Sequence, residues 1–128
     1  MTMTKNEISK VLIVDDDKDL RRIYSRYLSH DGFKVLEASN GEQALLEFCE
    51  EEIDVILLDI RMPVANGQVL LPALQRFHPQ SKIIVSSCYD QNVQKEMIGG
   101  AFDYFNKAEG YKVLLPKIKT AISQQKSA

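Results

Sequence analysis

Short apolar runs alternate with amphipathic stretches along this chain, and the two periods mark out its elements. Val11-Leu12-Ile13-Val14 is unbroken apolar sequence, as expected of a parallel strand covered on both faces. After an acidic turn, Leu20, Ile23, Tyr24, Tyr27 and Leu28 recur at helical spacing. Asp31-Gly32 supplies a turn. Phe33 to Ala38 reads as a second strand, less apolar and therefore expected at a sheet edge. Asn40-Gly41 restarts the chain into a helix carrying Ala44, Leu45, Phe48 and Cys49. Val55 to Leu58 is a third strand, and Gly67 to Phe77 a third helix with Pro72 inside it. Lys82 to Ser86 is a fourth strand, followed by a short helix around Gln91 to Ile98. Asp103 to Asn106 is a fifth strand, and Leu114, Leu115, Ile118, Ala121 and Ile122 mark a last helix.

Five strands alternating with five helices predict an α/β fold, a doubly wound parallel sheet with helices on both faces. Right-handed crossovers leave few topologies, and the flavodoxin-like order 2-1-3-4-5 is the economical one. A length of 128 residues suits one domain, expected over residues 10–124, with a tail at 1–9 and a polar end at 125–128. Sixteen basic against eighteen acidic residues give a net charge of −2, which lacks the basic footprint of a nucleic-acid binder. The apolar runs are far too short to span a bilayer, and residues 1–7 lack the apolar core of a secretion signal. A cytoplasmic protein follows. Cys49 and Cys88 have no metal-ligand spacing and read as reduced packing thiols.

In open α/β sheets the site lies at the carboxyl ends of the strands, where the winding direction reverses. Here that point falls between the first strand, followed by Asp15 and Asp16, and the third, followed by Asp59. Three carboxylates therefore meet. At ~4 Å and an effective dielectric near 20, each like-charged pair repels by roughly 4 kcal/mol. An all-oxygen set of this kind suits a hard divalent cation, and an open site that accepts phosphate suits magnesium. Ser87 past the fourth strand and Lys107 past the fifth reach the same rim. A hydroxyl, an ammonium and a divalent ion around one carboxylate make a phosphoryl-accepting arrangement. Singly, each residue has a duller role. Asp15 to Asp17 read alone as a helix N-cap with first-turn acids, and a lone serine or lysine is ordinary turn or surface chemistry. Their convergence at four of five strand ends favours the site. The residues themselves leave open which of Asp15, Asp16 and Asp59 is the nucleophile.

These segments resemble response regulator receiver domains. Val11-Leu-Ile-Val-Asp15-Asp16 is similar to that family's opening strand and acidic pair, and Leu57-Leu58-Asp59-Ile60-Arg61-Met62-Pro63 with Gly67 to its phosphoacceptor segment. Val85-Ser86-Ser87-Cys88-Tyr89 resembles its switch segment, and Gly100 to Lys107 its fifth strand. The resemblance runs from about Lys10 to Ile122 and includes similarity to single-domain chemotaxis and sporulation-type regulators. It implies Asp59 as phosphoacceptor, with magnesium held by Asp15, Asp16, Asp59 and the Arg61 carbonyl. Ser87 becomes the switch hydroxyl, Tyr104 the aromatic switch and Lys107 the phosphoryl contact. Ser87 is preferred over adjacent Ser86 because Tyr89 then falls where the family often has an aromatic. Alternation also points only one of the two serines at the site. The implied protein is not an enzyme in the ordinary sense. It is a phosphorelay switch that promotes its own phosphorylation and slow dephosphorylation, Arg61 and Tyr89 flanking the path of attacking water. The implied partners are a histidine kinase or histidine phosphotransfer protein and a downstream effector domain or protein.

The sequence departs from the family at Ala108, where a proline is usual, at Asn66, where an aspartate is frequent, and at Pro116 in the last helical stretch. A non-proline cis bond costs about 2.5–4 kcal/mol, so a trans Lys107–Ala108 bond is expected, with the loop re-routed or more mobile. An interior helix proline costs ~3 kcal/mol, so the last helix is expected to begin near Leu114 with Pro116 in its first turn. Two rival readings are a phosphohydrolase of the haloacid dehalogenase type and a pseudo-receiver that only binds partners. The first wants an acid where Arg61 stands, and the second wants a lost acid or lysine, none of which is missing.

Overall fold

A computed structural model describes residues 8–60 and 65–126, for residues 65–68 and 125–126 the backbone alone. The elements run β1 (Lys10–Val14), α1 (Lys18–His30), β2 (Lys34–Ala38), α2 (Gly41–Phe48), β3 (Val55–Asp59) and α3 (Ala65–Phe77). They continue with β4 (Lys82–Ser87), α4 (Gln91–Met97), β5 (Asp103–Asn106), a 3-10 turn (Lys107–Glu109) and α5 (Tyr111–Lys126). The strands form one parallel sheet in the order β2-β1-β3-β4-β5, the flavodoxin-like order expected. The less apolar β2 does take an edge.

Side-chain alternation divides the core in two. Leu12, Val14, Ile56, Leu58, Ile83 and Val85 face Ala44 of α2 and Leu71 and Leu74 of α3. Val11, Ile13, Val55, Leu57, Ile84 and Phe105 face Tyr24 and Leu28 of α1 and Leu114, Ile118 and Ala121 of α5. Strands buried on both faces are why β1, β3 and β4 read as continuous apolar runs. Truncating any of these fully buried leucines or isoleucines to alanine costs about 2–5 kcal/mol. Among the described residues no helix is long and apolar enough to cross a membrane.

Several boundaries differ from the sequence reading. β4 includes Ser87, α3 begins at Ala65 and α4 stops at Met97. Both cysteines are free but exposed, so neither is a packing thiol: Cys49 caps the end of α2 and Cys88 lies in the loop after β4. The largest correction concerns α5, which begins at Tyr111 and not near Leu114. Gly110 turns the chain at φ 83 and ψ 175, and its carbonyl accepts from Val113 N at 3.1 Å and Leu114 N at 3.2 Å. The Tyr111 ring lies 4.9 Å from that of Tyr27, and its hydroxyl donates to Asp31 Oδ2 at 2.7 Å. These anchors outweigh the cost of Pro116, which sits inside the helix and leaves the Lys112 carbonyl without its i+4 donor. The Lys107–Ala108 bond is trans, as expected. The loop beyond it takes a defined route as the 3-10 turn, capped by Asn106 Oδ1 accepting from Ala108 N at 2.9 Å.

Candidate functional site

The carboxyl ends of β1 and β3 are adjacent in the sheet, and the carboxylates that follow them converge. Asp15, Asp16 and Asp59 each offer an oxygen, all within 4.8 Å of one another. Asp15 is buried, and its Oδ1 accepts from the backbone N–H of Asp17 at 2.9 Å. The next residues show that two readings of the acidic run hold side by side. Asp17 is the N-cap of α1, accepting from Asp19 N and Leu20 N, while Asp15 and Asp16 belong to the cluster. Arg21 fixes the turn from behind, its Nη1 donating to the Asp15 carbonyl at 2.7 Å.

Lys107 enters from the end of β5. Its ammonium touches Asp59 Oδ1 and stands 3.3 Å from Asp15 Oδ2. Burial raises the Asp59 carboxyl above the usual carboxylate range; Lys107 opposes this, and the charges of Asp15 and Asp16 add to it. Burial by itself would lower the Lys107 ammonium, but its bond to Asp59 and the charges of Asp59 and Asp15 hold it above its ordinary value. One lysine thus faces more negative charge than it can neutralise. Hard oxygen ligands, close spacing and surplus negative charge fit a divalent ion such as magnesium. An open cleft of about 120 Å³ adjoins the acids, lined by Ser39, Asn40, Gly41 and Leu70 among others. A Cβ on Gly41 would collide with the Leu70 side chain, so glycine lets α2 close this wall.

Of the remaining expected residues, Tyr104 is buried, its hydroxyl donating to the Ile98 carbonyl at 2.6 Å and accepting from Ala101 N at 3.3 Å. Ser87 is buried at the end of β4, where its Oγ accepts from Tyr89 N at 3.2 Å. In the parallel register it is Ser86, not Ser87, that stands opposite Asp59. The Ser86 hydroxyl is buried and has no hydrogen-bond partner among the described residues. Alternation therefore does not choose between the serines. Arg61, whose carbonyl was expected at the metal, lies outside the described residues, as does the Asn66 side chain.

The sequence reading missed the wall formed by Ser39, Asn40 and Gly41, which it took only as a helix start. The rule that found the acids would have found these too, since they follow the end of β2. It also missed Gln94, a buried glutamine on α4.

Comparison with known proteins gives one answer. The family model for the response regulator receiver domain matches residues 11–119. The transcriptional regulatory protein CpxR of Escherichia coli K12 is 34% identical over 118 residues, covering 90% of this chain and 50% of that protein. A cyclic di-GMP phosphodiesterase of Thermotoga maritima is 34% identical over 114 residues, covering 88% of this chain and 30% of that protein. The chain thus spans half or less of the length of these curated relatives. Among solved structures, a CheY-like receiver domain protein from Methanospirillum hungatei superposes with a TM-score of 0.82 at 27% identity, covering 94% of this chain and 98% of that one. The response regulator TrrA of Thermotoga maritima, solved with Mg(2+)-BeF, gives 0.74 at 26% identity, covering 89% and 99%.

Proposed function

Since the chain belongs to the response regulator receiver domain family, we propose that it accepts a phosphoryl group from a phosphohistidine donor onto Asp59 and changes conformation in response. The observation that carries this reading is the meeting of Asp15, Asp16 and Asp59 within 4.8 Å, with Lys107 in contact with Asp59. Asp15, Asp16 and Asp59 would hold magnesium, with the Arg61 carbonyl added by resemblance to the family. When bound, the ion supplies positive charge for the carboxylates and the phosphoryl oxygens.

A carboxylate oxygen of Asp59 attacks phosphorus; the new P–O bond forms as the P–N bond of the donor breaks, and the imidazole leaves with the electron pair. Lys107 neutralises charge on the transferred group, and Ser87 donates a hydrogen bond to one of its oxygens. Tyr104 is the aromatic member of the switch, here turned inward. The resulting aspartyl phosphate is a mixed anhydride, lost slowly to water. A histidine kinase or histidine phosphotransfer protein is the proposed donor, and an effector domain or protein the proposed recipient of the signal. Neither the phosphohydrolase nor the pseudo-receiver reading is favoured, because the family match is to receivers and the three acids and the lysine stand together.

The test is incubation with magnesium and acetyl phosphate followed by intact mass. The native protein is expected to gain one phosphate and Asp59→Ala none. No gain by the native protein, or an undiminished gain by the variant, sinks the assignment.

A further inference from the structure

Gln94 lies on the buried side of α4, 3% exposed. Its backbone is fixed in the helix: Gln94 N bonds to Asp90 O at 3.0 Å, and Gln94 O accepts from Ile98 N at 2.8 Å. Its side-chain amide reaches in two directions. Nε2 donates to the Tyr89 carbonyl at 2.7 Å and to the Phe105 carbonyl at 2.9 Å. A primary amide nitrogen carries two hydrogens, so both are used. The two carbonyls can only accept, which fixes the orientation of the amide; a carboxylate of the same length could not take its place.

The two acceptors belong to segments with no covalent reason to move together. Tyr89 lies in the loop after β4, and its N–H donates to Ser87 Oγ at 3.2 Å. Phe105 lies on β5, the edge strand, two residues before Lys107. A continuous path therefore runs from the Ser87 hydroxyl through Tyr89 and the Gln94 amide to the strand that delivers Lys107 to Asp59.

We propose that Gln94 is a positioning residue that couples the loop after β4, whose Tyr89 N–H holds the Ser87 hydroxyl, to the strand that leads into Lys107, so that hydroxyl and ammonium approach the phosphoryl group as one unit. For its catalytic consequence this rests on the receiver reading above, with Ser87 as the hydroxyl. Without the amide the buried Phe105 carbonyl and the part-buried Tyr89 carbonyl both lose a donor, which is costly, and the loop relieves its share of that cost by moving out to water. Ser87 then loses its fixed orientation.

The test uses Gln94→Met, which keeps length and removes both donors, in two measurements. The first is amide hydrogen exchange of the unphosphorylated protein. Exchange is expected to rise at Tyr89 and its loop and to stay unchanged at Leu28 in α1. The second is the rate of phosphorylation by acetyl phosphate, in the native background and with Ser87→Ala. In the native background Gln94→Met is expected to lose about fivefold, the kinetic equivalent of about 1 kcal/mol. With Ser87→Ala present it is expected to lose nothing further, because a residue that acts through Ser87 has nothing left to position. Unchanged exchange in the loop overturns the coupling. A fivefold loss that persists with Ser87→Ala overturns the route through Ser87. A native protein that takes no phosphate, or a Ser87→Ala variant phosphorylated at the native rate, refutes the receiver reading or the serine assignment, and the exchange measurement still decides the coupling.

Discussion

Lys107 Nζ stands 3.3 Å from Asp15 Oδ2 while also touching Asp59, so one ammonium bridges carboxylates from two neighbouring strands. Asp15 is buried, and a buried charge stripped of its partner is strongly destabilising. Lys107→Ala is therefore expected to lower the stability of the metal-free protein by about 1–3 kcal/mol, with magnesium restoring part of the loss. Thermal midpoints with and without magnesium check this. A midpoint equal to that of the native protein, or a loss that magnesium leaves untouched, counts against the bridge and the metal site together.

The two serines at the end of β4 separate by experiment. In the proposed reaction Ser87→Ala would remove a donor to developing charge, and such donors are worth up to ~10²–10³ in rate. A slowing of about tenfold or more in acetyl phosphate uptake is expected. Ser86→Ala removes a buried hydroxyl without a partner among the described residues, so stability is expected to hold or rise by up to about 1 kcal/mol with near-native uptake. The opposite ranking would transfer the role to Ser86, the cross-strand neighbour of Asp59.

His78 gives a pH dependence away from the site. It is 4% exposed at the end of α3, and its Nε2 has no partner among the described residues. Burial lowers its pKa below the ordinary value of 6.5. The unfolded chain then binds the proton more readily than the folded one, so stability rises with pH in this window. The contribution is complete above pH 6.5 and is lost as pH falls toward the depressed folded value. Chemical denaturation at pH 7.5 and 5.5 is expected to show a decline that shrinks in His78→Leu. An identical decline in that variant would place its origin elsewhere.

Gly110 adopts φ 83 and ψ 175, a region open essentially to glycine alone, with free space where a Cβ would lie. Gly110→Ala therefore meets backbone strain and no clash. A loss of about 1–3 kcal/mol is expected in denaturant titration. Because the turn leads directly from Lys107 into α5, slower phosphate uptake should accompany it. A variant as stable as the native protein would mean the turn re-forms without the positive φ.

The apolar runs were sufficient to read the sheet, because strands covered on both faces announce themselves. With the order set, Asp15, Asp16, Asp59 and Lys107 followed from where strands end. The start of α5 was misjudged, since Pro116 is visible in one segment while its compensation is not. Tyr111 is anchored by Tyr27 and Asp31, and the Tyr111–Asp31 bond spans 80 residues of sequence. Gln94 was illegible for a similar reason: a glutamine in a polar stretch looks solvated until two distant carbonyls are found to converge on it. Alternation was offered in support of Ser87, but the register sets Ser86 opposite Asp59 and so lends that choice no support.

The division of the core has a consequence for biogenesis. Val11, Ile13, Val55, Leu57, Ile84 and Phe105 are covered on one side by Tyr24 and Leu28 of α1 and by Leu114, Ile118 and Ala121 of α5. A ribosome delivers the whole sheet before the second of these helices, and domains form as units during synthesis. Until residues 111–126 have emerged, the part of that face beyond the reach of α1 stays wet and sticky, and a nascent chain stalled before α5 presents chaperones and proteases with an aliphatic surface that the finished molecule never shows.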